Sequence, residues 1–309
     1  MTEAVRRSPA AESVIQIGNT AYPVLAPDAT IGAGLRSMIA SGVHSLRLAS
    51  QRGGADRPDS IHRFRIGLRR LRSVLSAFAR VLPDEERRAL NRRLGSIARL
   101  YSRAREWDVF LSATLRPLAE ALPDEPALIE LDAAARAARR DSLPPSGALH
   151  GQVEAVIAAI EEAQWLRQPS GGHETDWNKD LKEFSSDLLA KRHRKLRKHL
   201  KKVDIAVQAD FHRLRVEAKK IRYPAEMFLN LFDDRAADAY LDRLVSIQDV
   251  LGQLNDALIA RDQVGELSLS SRAQGLVAGW LAHEIEARRA RFPRAAKRLR
   301  QATPFWEEA

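Results

Sequence analysis

The chain is 309 residues long and has no cysteine, and its 50 Lys and Arg outweigh 40 Asp and Glu to leave a net charge of +10. The length allows one large or two ordinary domains with a sizeable core, and the missing cysteines exclude disulfides, thiolate zinc sites and cysteine nucleophiles. No apolar run approaches the roughly 18 residues of a membrane span, and the opening MTEAVRRSPAAESV lacks the apolar stretch of a secretory signal, so a cytoplasmic protein without membrane contact is expected. All ten Lys lie from Lys179 onward, so 40 of the cations are Arg, whose planar fork matches phosphate and carboxylate oxygens. An anionic partner would explain this bias, and so would a genome that spells its surface charges with Arg.

In chain order, residues 1–28 read as a loosely ordered lead-in with a short extended piece near Ile15–Val24. Ile61, Phe64, Leu68, Leu71, Leu75 and Phe78 then step by three and four, the apolar stripe of a helix. Pro58, Pro83, Pro117 and Pro126 punctuate the first half at helix ends, while residues 141–146 (DSLPPS) and 169–175 (PSGGHET) read as loops. The run KRHRKLRKHLKK at 191–202 carries eight Lys or Arg and two His in twelve residues. Leu189, Leu196, Leu200 and Val203 give it one narrow apolar face, and the rest is a solvated or nucleic-acid-facing surface. Phe211, Leu214, Ala218, Ile221, Ala225 and Phe228 repeat the earlier stripe. Ala, Leu, Arg and Glu are abundant and favour helix, so the fold class is all-α.

An internal repeat organises the chain. His62 opens HRFRIGLRRLR and His212 opens HRLRVEAKKIR, 150 residues later, and Arg93, Leu94, Ser96 and Ile97 meet Arg243, Leu244, Ser246 and Ile247 at the same offset. Two related helical halves follow, about 30–165 and 176–305, joined by a linker at about 166–175. At ~100° per residue, Arg65, Arg69 and Arg72 fall within about 80° of His62, beside the buried stripe, with Arg63 and Arg70 nearer solvent. His212, Arg215, Lys219 and Arg222 repeat that placement, with Arg213 and Lys220 further out. Like charges stacked along a helix repel, and the first stripe's helix supplies no carboxylate between His62 and Val81. Such a stripe, built twice, suits an anion, unless Asp108, Asp249 or Asp256 satisfy it from neighbouring helices.

The two motifs resemble the signature of the CHAD family, the conserved histidine α-helical domain. That signature, His-x-x-Arg-(Val/Ile)-x-x-(Arg/Lys)-(Arg/Lys)-(Leu/Ile)-Arg, is matched by His62, Arg65, Ile66, Arg69, Arg70, Leu71 and Arg72. His212, Arg215, Val216, Lys219, Lys220, Ile221 and Arg222 match it again, followed by the Tyr223 and Glu226 typical of that copy. The family's Arg-Asp-x-Asp-Val motif is Arg105, Glu106, Trp107, Asp108 and Val109 here, and its Leu-Gly-x-x-Asn-Asp is met by Leu251, Gly252, Asn255 and Asp256. Glu106 stands where Asp is usual and Ser102 where Gly is common.

Over about residues 30–300 the resemblance implies two pseudo-symmetric four-helix bundles forming one CHAD domain, placed here at 29–305, around a basic cleft or pore. It implies binding of inorganic polyphosphate, with association with polyphosphate granules in some members. The expected binding set is His62, Arg65, Arg69, Arg70, Arg72, Arg105, His212, Arg215, Lys219, Lys220 and Arg222, extended by Lys191, Arg194 and Lys198. Asp108 and Asp256 would orient cations or cap helices, and the two His would donate hydrogen bonds.

No catalytic residue, metal ligand or cofactor is expected. His173-Glu174 and His283-Glu284 lack the second His of a zinc-protease helix, and no phosphate-cradling Gly-rich loop or nucleophile beside a base is present. A metal-dependent phosphohydrolase, a nucleic-acid binder and a scaffold for acidic proteins are the rival readings. Against nucleic acid, aromatics make up only 6% and none interleave the basic stripes as a stacking platform.

Overall fold

In a computed structural model the described residues are 14–17, 20–51, 58–145, 148–167 and 174–307. Residues 1–13 and 18–19 of the expected lead-in, Ser146 of the expected 141–146 loop and 168–173 of the expected linker lie outside them.

Both apolar stripes form the helices their periodicity predicts. Helix α2 (Pro58–Ala77) opens on a proline, whose missing N–H is no loss at a helix start, and it buries Ile61, Phe64, Leu68, Leu71 and Leu75. Helix α11 (Gln208–Met227) buries Phe211, Leu214, Ala218, Ile221 and Ala225. The register of the repeat extends beyond the motifs. Helices α1 (Ile31–Gln51) and α10 (Leu181–Leu200), the 3-10 turns Ala79–Val81 and Leu229–Leu231, and helices α3 (Asp84–Leu100) and α12 (Asp234–Val264) all begin 150 residues apart, as α2 and α11 do.

After α3 the first half departs from the second. The equivalent stretch of α12 is continuous, but here Tyr101 breaks the helix into α3 and α4 (Ser102–Phe110). A π-helical stretch, Leu111–Leu115, then leads into α5 (Arg116–Ala121) and α6 (Ala127–Asp141). Helix α7 (Ala148–Glu161) packs on α1 and α3, closing a ring of four helices with α2. After the short helices α8 (Gln164–Arg167) and α9 (Glu174–Trp177), α10, α11, α12 and α13 (Ser271–Arg300) close a second ring. The arm α4–α6 reaches across: α4 packs on α12, and α6 on α13. Helices α2 and α11 face each other where the rings meet.

The two repeats also touch at equivalent residues. Thr30 and Asp180, 150 apart, form an antiparallel bridge in which Ile31 N donates to Lys179 O at 3.0 Å and Leu181 N to Ala29 O at 2.9 Å. Asp180 also caps α10, accepting from Glu183 N.

In its described residues, 14–17 and 20–28, the expected lead-in is ordered, and the extended piece expected near Ile15–Val24 is a hairpin. Strands β1 (Val14–Ile17) and β2 (Thr20–Pro23) pair antiparallel, with Ile17 opposite Thr20. Tyr22 and Leu25 join the core. Burying the Tyr22 ring, and satisfying its hydroxyl on a helix 204 residues away, is what orders a segment too short to hold a hairpin alone.

Candidate anion-binding cleft

A cleft of about 300 Å³ lies between the two repeat helices. His62, Ile66, Arg69, Arg70 and Ser73 line it from α2, and Lys219, Arg222, Tyr223 and Glu226 from α11. Gln248 and Asp249 of α12 and Ile17, Thr20 and Tyr22 of the hairpin complete the wall. The two stripes therefore converge, because the apolar face of each helix turns into its own bundle and leaves the neighbouring basic face at the seam.

Lys219 carries the strongest mark of this environment. Burial, then Arg215 and Arg69, push its ammonium down to about 7, with Arg65 adding and Asp256 opposing. Burial also lowers Arg215, against the attraction of Asp256, and lowers Arg65, against that of Glu106. Arg65 is fixed at the break between α3 and α4, donating from Nη1 to Ala98 O at 2.7 Å and to Ser102 Oγ at 3.0 Å. Arg69 is exposed and lies over the Tyr223 ring at 5.1 Å. His62 is half-buried, and burial, then Arg105 and Arg69, depress its pKa, so it is neutral at pH 7.

Besides Glu226 and Asp249 on the wall, the acids that act on these shifted cations are Glu106 and Asp256, themselves 150 residues apart. Burial raises the Glu106 carboxyl and Asp256 raises it further, against Arg103 and Arg65. Glu106 thus acts on Arg65, and Asp256 on Arg215 and Lys219. With Glu226 taken by Arg222, the cations Arg65, Arg69, Arg105, Arg215 and Lys219 outnumber the acids Glu106, Asp249 and Asp256. Among the described residues no group of three or more His, Cys, Asp or Glu is arranged to hold a metal ion.

The structure brings His62, Arg65, Arg69, Arg70, Arg105, Arg215, Lys219 and Arg222 to this seam, two of them already partnered, and places the rest of the expected set elsewhere. Arg222 is neutralised there, its Nε 2.5 Å from Glu226 Oε1 and its Nη1 3.2 Å from Gln248 Oε1. Arg70, expected nearer solvent, is 4% exposed. Helix α1 and the hairpin cover it, so that its Nη1 and Nη2 donate to Ser45 and Ser41 Oγ and Tyr22 stacks on it. Arg72 turns away to α3, donating to Asn91 Oδ1. His212 lies at the start of α11, in a separate groove against α12 with Asn255 and Asp262.

Lys220 is exposed and pairs with the buried Glu217, which Lys195 also holds. Lys191, Arg194 and Lys198 are exposed on α10 and line none of this cleft. From the same run His193 is buried against Tyr240, and Arg192 reaches Ser76 O and Lys220 O. Asp108 does orient a cation, taking Arg139 Nε at 2.5 Å.

Sequence reasoning missed the hairpin wall and Glu106 as a partner of the cluster. The 150-residue offset pairs Glu106 with Asp256 and was the available signal; for the hairpin there was none beyond a short extended run.

A model of the CHAD domain matches residues 39–265. The crystal structure of the CHAD domain from the plant Ricinus communis is similar, with a TM-score of 0.67 and 23% identity over 91% of this chain and 95% of that one. PptA from Streptomyces chartreusis gives a TM-score of 0.65 and 16% identity over 87% of this chain and all of its own. No curated protein matches. Both structures share the helical architecture, the family model spans most of the sequence including both His/Arg repeats, and the chain accordingly belongs to the CHAD family.

Proposed function

We infer that the chain binds inorganic polyphosphate in the α2/α11 cleft as a non-catalytic receptor. The observation that carries this reading is the convergence of Arg65, Arg69, Arg215 and Lys219 at one seam, where burial and then the neighbouring guanidiniums hold the Lys219 ammonium down to about 7. Such a cluster is destabilising without ligand and is relieved by a polyanion. Polyphosphate offers about one charge per phosphate and no base for stacking, which fits a cleft whose donors are forks and point charges. Low-dielectric helical walls focus the potential on the opening.

The test is a titration with long-chain polyphosphate at near-physiological salt, with DNA and RNA as competitors. Binding that survives the competitors is expected. Replacing Arg65, Arg69, Arg215 and Lys219 together by Gln should abolish it while leaving helicity intact, and tight binding by that variant would refute the site. Equal displacement by nucleic acid would make the cleft a generic polyanion surface. Phosphate release on adding a divalent metal would replace the receptor reading with a hydrolase.

A further inference from the structure

The groove between α2 and α11 is crossed by a strap. Tyr22 of β2 is 4% exposed; its ring lies 4.8 Å from the Arg70 guanidinium on α2, and its hydroxyl donates to Glu226 Oε2 on α11 at 3.1 Å. One side chain thus spans both walls. Just past the hairpin, the Leu25 backbone exchanges two hydrogen bonds with the Asn230 side chain, fastening the strap beyond the end of α11.

At the strap Arg222 is neutralised by Glu226, while Arg70 is buried under Tyr22 and gives its Nη1 and Nη2 to two serines. Away from it Arg105 acts on His62 and also lines a second groove of about 520 Å³, where Arg105, Arg136, Arg139 and Arg140 outnumber Asp59 and Asp108, although Asp108 takes Arg139 and Asp132 takes Arg136. A linear polyanion entering past His62 therefore meets its densest cations, Arg69 and Lys219, and then a wall.

The end of a polyphosphate chain is the part that suits such a stop. A terminal phosphate has an ionisable oxygen that an internal one lacks, titrating near neutral pH as phosphate monoesters do at about 6. It therefore carries the highest charge density on the chain.

We propose that the strapped cleft holds the terminal phosphates of a polyphosphate chain, and that the rest of the chain leaves past Arg105 along the Arg136–Arg140 groove. This rests on the reading of the cleft as a polyphosphate site. The strap, through Tyr22, sets the preference for ends over mid-chain segments.

The experiment compares long-chain polyphosphate with the same preparation blocked at both ends as phosphoramidates of a bulky amine. Each is titrated into the full chain by calorimetry at near-physiological salt. The blocked chain is expected to bind roughly tenfold more weakly, the loss of about one charge-assisted contact. Equal affinity would overturn end-binding while leaving the polyphosphate reading intact. No binding by either preparation would overturn both. Tyr22→Ala, checked for cooperative melting, should erase the difference. A folded Tyr22→Ala protein that keeps it would show that the strap is not its cause. If that variant does not fold, the comparison on the unaltered chain decides.

Discussion

Lys219 is the residue whose charge state the cleft sets. Its ammonium titrates at about 7 instead of the ordinary 10.5, because burial and then Arg215 and Arg69 disfavour the proton, with Arg65 adding and Asp256 opposing. The unfolded chain holds that proton up to the ordinary value, so between about 7 and 10.5 it binds more protons than the folded one. The contribution to stability therefore rises with pH across that window, and the full penalty is present below about 7. Lys219→Met should raise the melting temperature at pH 6 to 7 and leave it little changed near pH 10.5, read by thermal unfolding at each pH. A polyanion reverses the preference, so protonation of Lys219 should favour polyphosphate as pH falls through about 7, against the loss of charge from the terminal phosphates, and Lys219→Met should lose the favourable part of that pH dependence. At this scale the sequence was only half legible. The wheel placed Arg65, Arg69, Arg215 and Lys219 correctly because their angle lies next to the apolar stripe. It misplaced Arg70 and Arg72 because an angle on one helix does not say which neighbour covers it.

Among elements, α1 and α2 pack closely in the first repeat. A Cβ on Gly42 would lie 2.6 Å from Leu71 Cδ2, and one on Gly67 3.2 Å from the Leu46 backbone. Leu71 is fully buried and has nowhere to retreat. Gly42→Ala should therefore lower stability by about 1–3 kcal/mol from overpacking, exceeding the ~1 kcal/mol that Ala gains over Gly in a helix interior. Gly252, in α12, has nothing within 4 Å of the same added atom. Gly252→Ala should raise stability by up to about 1 kcal/mol, and denaturant melts of the two variants should move in opposite directions. In the second repeat the position equivalent to Gly67 is Glu217, a buried carboxylate held by Lys195 and Lys220. One slot thus closes by helix contact in the first repeat and by neutralised charge in the second. The helices and their pairing were readable because period and repeat are written locally. The break at Tyr101 and the strap were not, since each depends on partners far along the chain.

For the whole molecule, binding should bear the mark of released counterions. If the site neutralises about five phosphates, the logarithm of affinity should fall with the logarithm of salt at a slope near −3.5, by analogy with single-stranded nucleic acid. Neutralising Arg69 and Lys219 should flatten that slope by about 1.4. A slope unchanged in that double variant would place the contacts elsewhere, the exposed α10 face with Lys191, Arg194 and Lys198 being the next surface to mutate.

The bridge between Thr30 and Asp180 has its own consequence. Its two hydrogen bonds run from Ile31 to Lys179 and from Leu181 to Ala29, and each donor and acceptor is the other's counterpart 150 residues on. Exchanging the two repeats leaves the contact unchanged, which is the defining property of an isologous interface between identical subunits. At this point the single chain has the geometry of a homodimer whose subunits have been joined end to end, and its cleft sits where such a dimer would carry its shared site.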